Sequence, residues 1–255
     1  MIDGRGLKMR IAHISDLHVS SQYYVPKWGN SMVQWINDQE IDLVIISGDL
    51  TMDGHPHEYD LAMELVGSID PPKLVVPGNH DAKNKGYEVF EEIFGTRKPF
   101  FHNDMVAILG LDSSEPDIDE GQIGRHDYRS IREKLDTDKA TILVMHHHIV
   151  PVPGTGRERN ILTDAGDVLK ICVENGIDLV LSGHRHLPWV WRIHHTHFVT
   201  AGTACTRRLM GRTGPSFNLI RILEDGIEME RIDTRDLGSE HLMKAPLAPR
   251  LHSHP

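Results

Sequence analysis

The sequence predicts an α/β protein built from two packed β-sheets with helices on the outside. Strand-like and helix-like stretches alternate from about residue 9 to residue 186, and a run of short strands follows. The strand-like runs in the first part are short, apolar and rich in β-branched residues, as buried strands are. Five of them end in Asp, His or Asn, at the carboxyl edge where open α/β folds bind ligands.

Residues 1–8 are polar and glycine-bearing and read as an N-terminal extension, with the first strand starting at Met9 or Arg10. That strand runs into Ser15-Asp16-Leu17-His18. Residues 27–40 place Met32, Val33, Trp35 and Ile36 on one helical face. The run Val44-Ile45-Ile46 is a strand that breaks at Gly48-Asp49. A second helix covers 55–69, with Tyr59, Leu61, Met63, Leu65 and Val66 as its apolar residues, and Pro71-Pro72 turns the chain into a strand at Leu74-Val75-Val76. Gly78-Asn79-His80-Asp81 follows. A short helix over 87–94 is closed by Gly95, a strand spans 106–111, and a helix of mixed charge spans 125–135. The strand Ile142-Leu143-Val144-Met145 delivers His146-His147-His148, then a long loop covers 151–160. A helix over 164–174 stops at Asn175-Gly176. The strand Leu179-Val180-Leu181 delivers Gly183-His184-Arg185-His186. Short strands at 189–191, 197–200, 217–223 and 227–232 complete the pattern, with Asp225-Gly226 as a hairpin turn. No repeat, low-complexity stretch or interior linker interrupts this order, so residues 9–235 read as one domain. Residues 236–255 lose the pattern and read as a loosely held C-terminal tail.

Composition narrows the function. The chain has 255 residues, enough to bury a full core, and 37 acidic against 27 basic side chains give a formal charge of −10. That balance argues against a nucleic-acid polymer or an anionic membrane as partner. No apolar run reaches the roughly 18 residues a membrane span needs, and the start has no secretory signal pattern. Cys172 and Cys205 stand far apart without a CxxC, which suits unpaired thiols in a cytoplasmic protein, with a single long-range disulfide as the alternative. There is no GxSxG elbow for serine hydrolysis.

Five strand ends carrying Asp, His and Asn can hold two metal ions. Ions about 3.5–4 Å apart need a shared ligand, a role that suits a short carboxylate, and Asp49 is the candidate. Taken together, Asp16-Leu17-His18, Gly48-Asp49, Gly78-Asn79-His80-Asp81, His146-His147 and Gly183-His184-Arg185-His186 resemble the five signature blocks of the calcineurin-like metallophosphoesterase superfamily. They occur in that family's order across residues 16–186. The resemblance implies a four-layer αββα sandwich of two mixed β-sheets flanked by helices, with a dinuclear metal centre that hydrolyses phosphate esters. Mapped position by position, one ion takes Asp16, His18, Asp49 and His186, and the other takes Asp49, Asn79, His146 and His184. Imidazole, carboxylate and amide donors suit Mn, Fe, Zn or Co. Two divalent ions outweigh the charge of Asp16, Asp49 and a bridging hydroxide, leaving a positive centre for a phosphate.

By the same resemblance His80 faces the phosphate, stabilising charge or protonating the leaving oxygen, with Asp81 orienting its ring. His147 is either a partner of a ligand or a substrate contact. Arg157 and Arg159, on the loop that leaves the His146 strand, are expected to contact the second arm of a diester. Arg207-Arg208, after the Ala201-Gly202-Thr203 turn, could reach substrate but reads rather as a solvated pair, and His194, His195 and His197 at a hairpin tip, His55 and His57, and His252 and His254 in the tail read as solvated residues. Met52 stands where purple acid phosphatases carry a tyrosine ligand, and the basic surface and capping domain of the repair nucleases are missing. The protein-phosphatase block RGNHE is also absent, since Pro77 precedes Gly78 here. The compact length, the Met145-His146-His147-His148 block, and Gly202-Thr203-Ala204 followed by Arg207-Arg208 and a final hairpin resemble class III cyclic nucleotide phosphodiesterases and related glycerophosphodiesterases. The expected function is hydrolysis of small phosphodiesters such as cyclic nucleotides by a metal-bound hydroxide. A phosphomonoesterase of the same superfamily is the alternative, and a non-catalytic metal-binding scaffold is the alternative from another class. The expected partner is a small phosphate ester, with homo-oligomerisation left open.

Overall fold

The computed structural model describes residues 6–249. The chain opens with β1 (Leu7–Ile14), α1 (Pro26–Asp38), β2 (Leu43–Ser47), α2 (Pro56–Gly67) and β3 (Lys73–Val76). A 3-10 turn at Lys83–Lys85 leads into α3 (Gly86–Phe94), β4 (Phe100–His102) and β5 (Val106–Gly110). Next come α4 (Arg125–Lys134), β6 (Ala140–Val144), α5 (Ala165–Glu174) and β7 (Leu179–Ser182). The last third holds β8 (Trp189–Ile193), β9 (Thr196–Thr200), β10 (Ser216–Leu223), β11 (Gly226–Asp233) and β12 (Ser239–Pro246).

These strands form two mixed six-stranded sheets, in the orders β12-β11-β10-β1-β2-β3 and β4-β5-β6-β7-β9-β8. The side-chain period of two explains why the central strands are apolar throughout. Leu43 and Ile45 of β2 turn into the space between the sheets, where they meet Ile142, Val144, Leu179 and Leu181. Val44 and Ile46 turn the other way, onto Met32 and Ile36 of α1 and Tyr59 and Leu65 of α2. On the far side, Leu143 and Val180 pack with Ile131 of α4 and Val168 and Ile171 of α5. Three apolar layers thus separate four structural ones, helix, sheet, sheet and helix. Each fully buried Leu or Ile contributes roughly 1.5–3 kcal/mol to this packing.

Direction decides where chemistry can occur. β1, β2 and β3 are parallel neighbours, so their carboxyl ends finish on one edge. β6 and β7 are parallel in the other sheet and finish likewise. The strand ends flagged by the sequence are the ends of these five strands.

The structure corrects the chain ends. β1 begins at Leu7, paired with Leu223, so Leu7 and Lys8 belong to the sheet and not to an extension. Residues 1–5 lie outside the described residues. The expected loose tail contains β12, an edge strand paired along β11. Its apolar signal is faint because Met243 and Ala245 are its buried contribution to the inter-sheet core, with Leu242 half-buried against it. Its polar residues are used across the strand pair, in Arg231–Glu240 and Lys244–Glu228 ion pairs. Residues 250–255, with His252 and His254, lie outside the described residues. His194 and His195 do sit at the β8–β9 turn, but His197 is buried in β9. Cys172 and Cys205 are free and buried in separate parts of the core, with no disulfide between them. Among the described residues no helix is long and apolar enough to cross a membrane.

Candidate metal centre

The loops that leave β1, β2 and β7 do so through left-handed backbone at non-glycine residues. Asp16 has φ 54°, His18 40°, Asp49 57°, His184 69° and His186 52°. Such conformations cost of order 1–3 kcal/mol each and persist only where neighbours over-determine them. Here the loops brace one another. Asp16 N–H donates to the Gly48 carbonyl and His18 N–H to the Asp49 carbonyl, each at 3.0 Å. Thr203 Oγ1 donates to the Asp16 carbonyl at 2.7 Å. Asp81 accepts from Leu50 N at 3.2 Å and from Thr51 N, Thr51 Oγ1 and Gly78 N at 2.9 Å each.

Two glycines permit the close crossings. A Cβ at Gly78 would strike the Asp49 carboxylate, and a Cβ at Gly183 would strike Ser15 Oγ and the Asp16 carboxylate. Gly183→Ala is therefore expected to displace Asp16. Overpacking of this kind typically costs about 1–3 kcal/mol. A lowered Tm together with reduced metal uptake is the expected result, and an unchanged value of both would contradict the crowding.

The side chains converge in two groups that share Asp49. Asp16, His18, Asp49 and His186 are all buried, and one donor atom from each lies within 4.8 Å of the others. In the second group His146 Nε2 lies 3.3 Å from Asp49 Oδ2, and His184 Nδ1 lies 3.3 Å from His146 Nε2 and 3.0 Å from Asn79 Oδ1. Asp49 Oδ2 is also 3.5 Å from His18 Nε2. One carboxylate thus touches a histidine from each group.

The protons show what this arrangement lacks. His18 gives its Nδ1 proton to the Thr51 carbonyl at 3.0 Å, His146 to Ser47 at 2.7 Å and His186 to Arg208 at 2.7 Å. A backbone carbonyl can only accept, so each Nε2 of a neutral ring is a bare lone pair. These lone pairs meet other lone pairs. His18 Nε2 is 3.2 Å from His186 Nε2, and His186 Nε2 is 3.1 Å from Asp16 Oδ1. Such contacts repel until a cation sits among them, so the donor set fits divalent ions. Burial lowers the His18 pKa to about 3 and takes that of His184 well below its usual value, which keeps both rings in the neutral, ligating form. Burial also opposes charge on Asp49, yet the neighbouring His146 above all holds its carboxyl well below the usual range. His146 is the exception among the rings. Burial works against its charge, but the Asp49 carboxylate overrides it and raises the pKa to about 9, so a proton there does the work of a cation.

Other expectations fare differently. His80 stands beside the cluster, edge-on to His18 with ring centroids 4.8 Å apart. Its Nδ1 is held by the Met52 carbonyl at 2.5 Å, not by Asp81. Asp81 cannot orient that ring, because both its oxygens are taken by the donors of the loops it braces. Its burial and the nearby Asp49 charge push its carboxyl up to about 6, against the pull of those donors. His147 is not a substrate contact. It is fully buried, with Nδ1 2.9 Å from Ser113 Oγ and Nε2 on the Asp119 carbonyl at 3.0 Å.

Arg157 and Arg159 are exposed and do not line the cavity beside the centre. Their loop is tied down instead, by His148 Nε2 on Glu158 at 2.6 Å and by Arg185 Nη2 on the Thr155 carbonyl at 2.8 Å. The cavity, of about 540 Å³, is bordered by Tyr23, Met52, Arg207, Arg208 and Met210 together with His184 and His186. Sequence reasoning set Arg207 and Arg208 aside as solvated. Both border that cavity, and the Arg208 carbonyl also holds His186.

The sequence profile described as calcineurin-like phosphoesterase matches residues 9–188. A probable cyclic nucleotide phosphodiesterase of Xenorhabdus bovienii is 31% identical over 177 residues, covering 66% of this chain and 68% of that protein. A glycerophosphodiester phosphodiesterase of Enterobacter lignolyticus is 30% identical over 198 residues, covering 70% of this chain and 71% of its own. Among solved structures, a purple acid phosphatase from yellow lupin superposes with a TM-score of 0.76 at 14% identity. It covers 95% of this chain, which spans about half (54%) of the lupin chain, and it speaks for the fold alone.

Proposed function

This chain belongs to the calcineurin-like phosphoesterase family, and from that premise we propose that it is a dinuclear metal-dependent phosphodiesterase acting on small phosphodiesters. The observation that carries the proposal is the buried set of carboxylates and imidazoles converging on Asp49, with the bare Nε2 lone pairs of His18 and His186 facing Asp49 and Asp16. Asp16, His18, Asp49 and His186 would hold one ion, and Asp49, Asn79, His146 and His184 the other. Bound there, Mn, Fe, Zn or Co ions supply Lewis acidity toward phosphoryl oxygens and an acidified water. The chain's own residues do the rest. The carbonyls on His18, His146 and His186 fix each ring's tautomer and aim. His80, held through Nδ1, leaves Nε2 without a partner among the described residues and available to a phosphoryl or leaving oxygen.

A diester is favoured over a monoester by the names of the relatives and by the cavity, which leaves room for a second organic arm. The test is hydrolysis of bis(p-nitrophenyl) phosphate against p-nitrophenyl phosphate by the full chain reconstituted with Mn²⁺. We expect kcat/KM for the diester to exceed that for the monoester by at least about tenfold, or roughly 1.4 kcal/mol of transition-state discrimination. The reverse order would make the protein a phosphomonoesterase. A metal-loaded protein inactive on both would defeat the hydrolase reading and leave a binding scaffold.

A further inference from the structure

Three guanidinium groups border the cavity beside the metal centre, and they are not equivalent. Arg185 is fully engaged, with Nε and Nη2 on Thr155 and Nη1 on the Arg159 carbonyl. Arg208 Nη1 reaches only the Met52 thioether, at 3.2 Å, which is a weak acceptor. Among the described residues no carboxylate lies within ion-pair distance of Arg207 or Arg208. In a chain with 37 acidic and 27 basic side chains, two adjacent arginines left without a carboxylate run against the composition.

The surroundings have a polarity. Beside Asn79 the centre's flank is acidic, because Asn79 Nδ2 donates to Asp119 Oδ1 at 3.2 Å and Asp117 and Glu120 are exposed on the same loop. On the His186 side the wall is cationic and apolar. Tyr23 and Met210 there are 44% and 40% exposed, large apolar surfaces placed beside the two arginines. An anion added to the substrate's arm is repelled on the first side and accepted on the second. A planar guanidinium fork matches phosphate oxygens, and such charge-assisted bonds are among the strong ones.

We propose that Arg207 and Arg208 bind a second phosphate carried by the substrate's organic arm, with the apolar body of that arm resting on Tyr23 and Met210. The substrate class is then a phosphate ester whose arm is itself phosphorylated. This deepens the phosphodiesterase reading and rests on it for the placement of the scissile phosphate.

The experiment measures equilibrium binding to the Mn²⁺-loaded full chain, with adenosine 5′-monophosphate and adenosine 3′,5′-bisphosphate, which carries its second phosphate on the organic arm, as probes. The second phosphate is expected to tighten binding by at least about tenfold in the wild type, the size of a charge-assisted hydrogen bond. In the Arg207→Ala/Arg208→Ala protein that ratio should fall below about threefold, with metal content unchanged. A Gln pair in place of the Ala pair repeats the measurement with a longer polar side chain, should the first variant fold poorly. Equal affinities for the two probes in the wild type overturn the proposal. So does a ratio that survives removal of both arginines, since the gain would then come from the ions alone. Because the ratio is read without turnover, a wild type that fails to hydrolyse diesters counts against the phosphodiesterase reading and not against this one.

Discussion

Asp49→Ala is expected to abolish hydrolysis and to deplete both halves of the metal centre together. Its Oδ2 lies 3.5 Å from His18 Nε2 and 3.3 Å from His146 Nε2, one ring from each group, and its Oδ1 accepts from His80 N at 3.0 Å. Alanine removes the one anion that faces both sides. The imidazoles left behind face one another without compensation, and breaking a buried charged pair in this way typically costs about 3–5 kcal/mol. Asp49→Asn separates charge from shape, because the amide oxygen can still take the His80 N–H. Asp16→Ala should act on one half. Its close contacts run to His186 at 3.1 Å, His18 at 4.0 Å and the His184 N–H. Elemental analysis of the purified proteins decides the matter. Near two ions per chain in Asp49→Ala protein would remove Asp49 from the shared position.

His80→Ala should give the opposite signature, with full metal content and slow chemistry. The ring touches the metal group only edge-on through His18, and its fixed point is the Met52 carbonyl. Losing a general acid and electrostatic stabiliser costs about 10²–10⁴-fold in rate. The loss should be larger for an alkyl leaving group, which needs a proton, than for nitrophenolate, which leaves without one. Equal losses for both would remove the acid role and keep only the electrostatic one. Asp81→Asn should not copy this profile. Asp81 braces the loops after β2 and β3, so its loss should appear first in stability.

What the sequence exposed and what it hid follow from the range of the interactions. The five strand ends were legible because a buried strand is a continuous apolar run, and Asp16, Asp49, Asn79, His146 and His184 stand directly after such runs. The role of Asp81 was not legible, since its donors are mostly backbone groups some thirty residues away, which carry no residue identity. Arg157 and Arg159 looked well placed because they follow His146 in the chain, yet the loop folds away and uses Glu158 on His148. Arg208 lies 22 residues beyond His186 and meets it through a carbonyl. β12 was missed for a different reason. An edge strand with one covered face, whose exposed Glu240 and Lys244 are spent on ion pairs, has almost no apolar period to detect.

The division of the donors between the sheets has a consequence for the life of the folded chain. Asp16, Asp49 and Asn79 follow β1, β2 and β3, whereas His146, His184 and His186 follow β6 and β7 of the opposite sheet. An ion held by both sets is a rivet through the mouth of the sandwich. Any cation that binds the folded chain and not the unfolded one adds RT ln(1 + [M]/Kd), about 2.7 kcal/mol at a hundredfold excess over Kd. That is a sizeable part of the 5–15 kcal/mol that typically holds a domain together. Stripping metal from the loaded chain is therefore expected to lower its Tm and to speed its proteolysis, as well as to affect any hydrolysis.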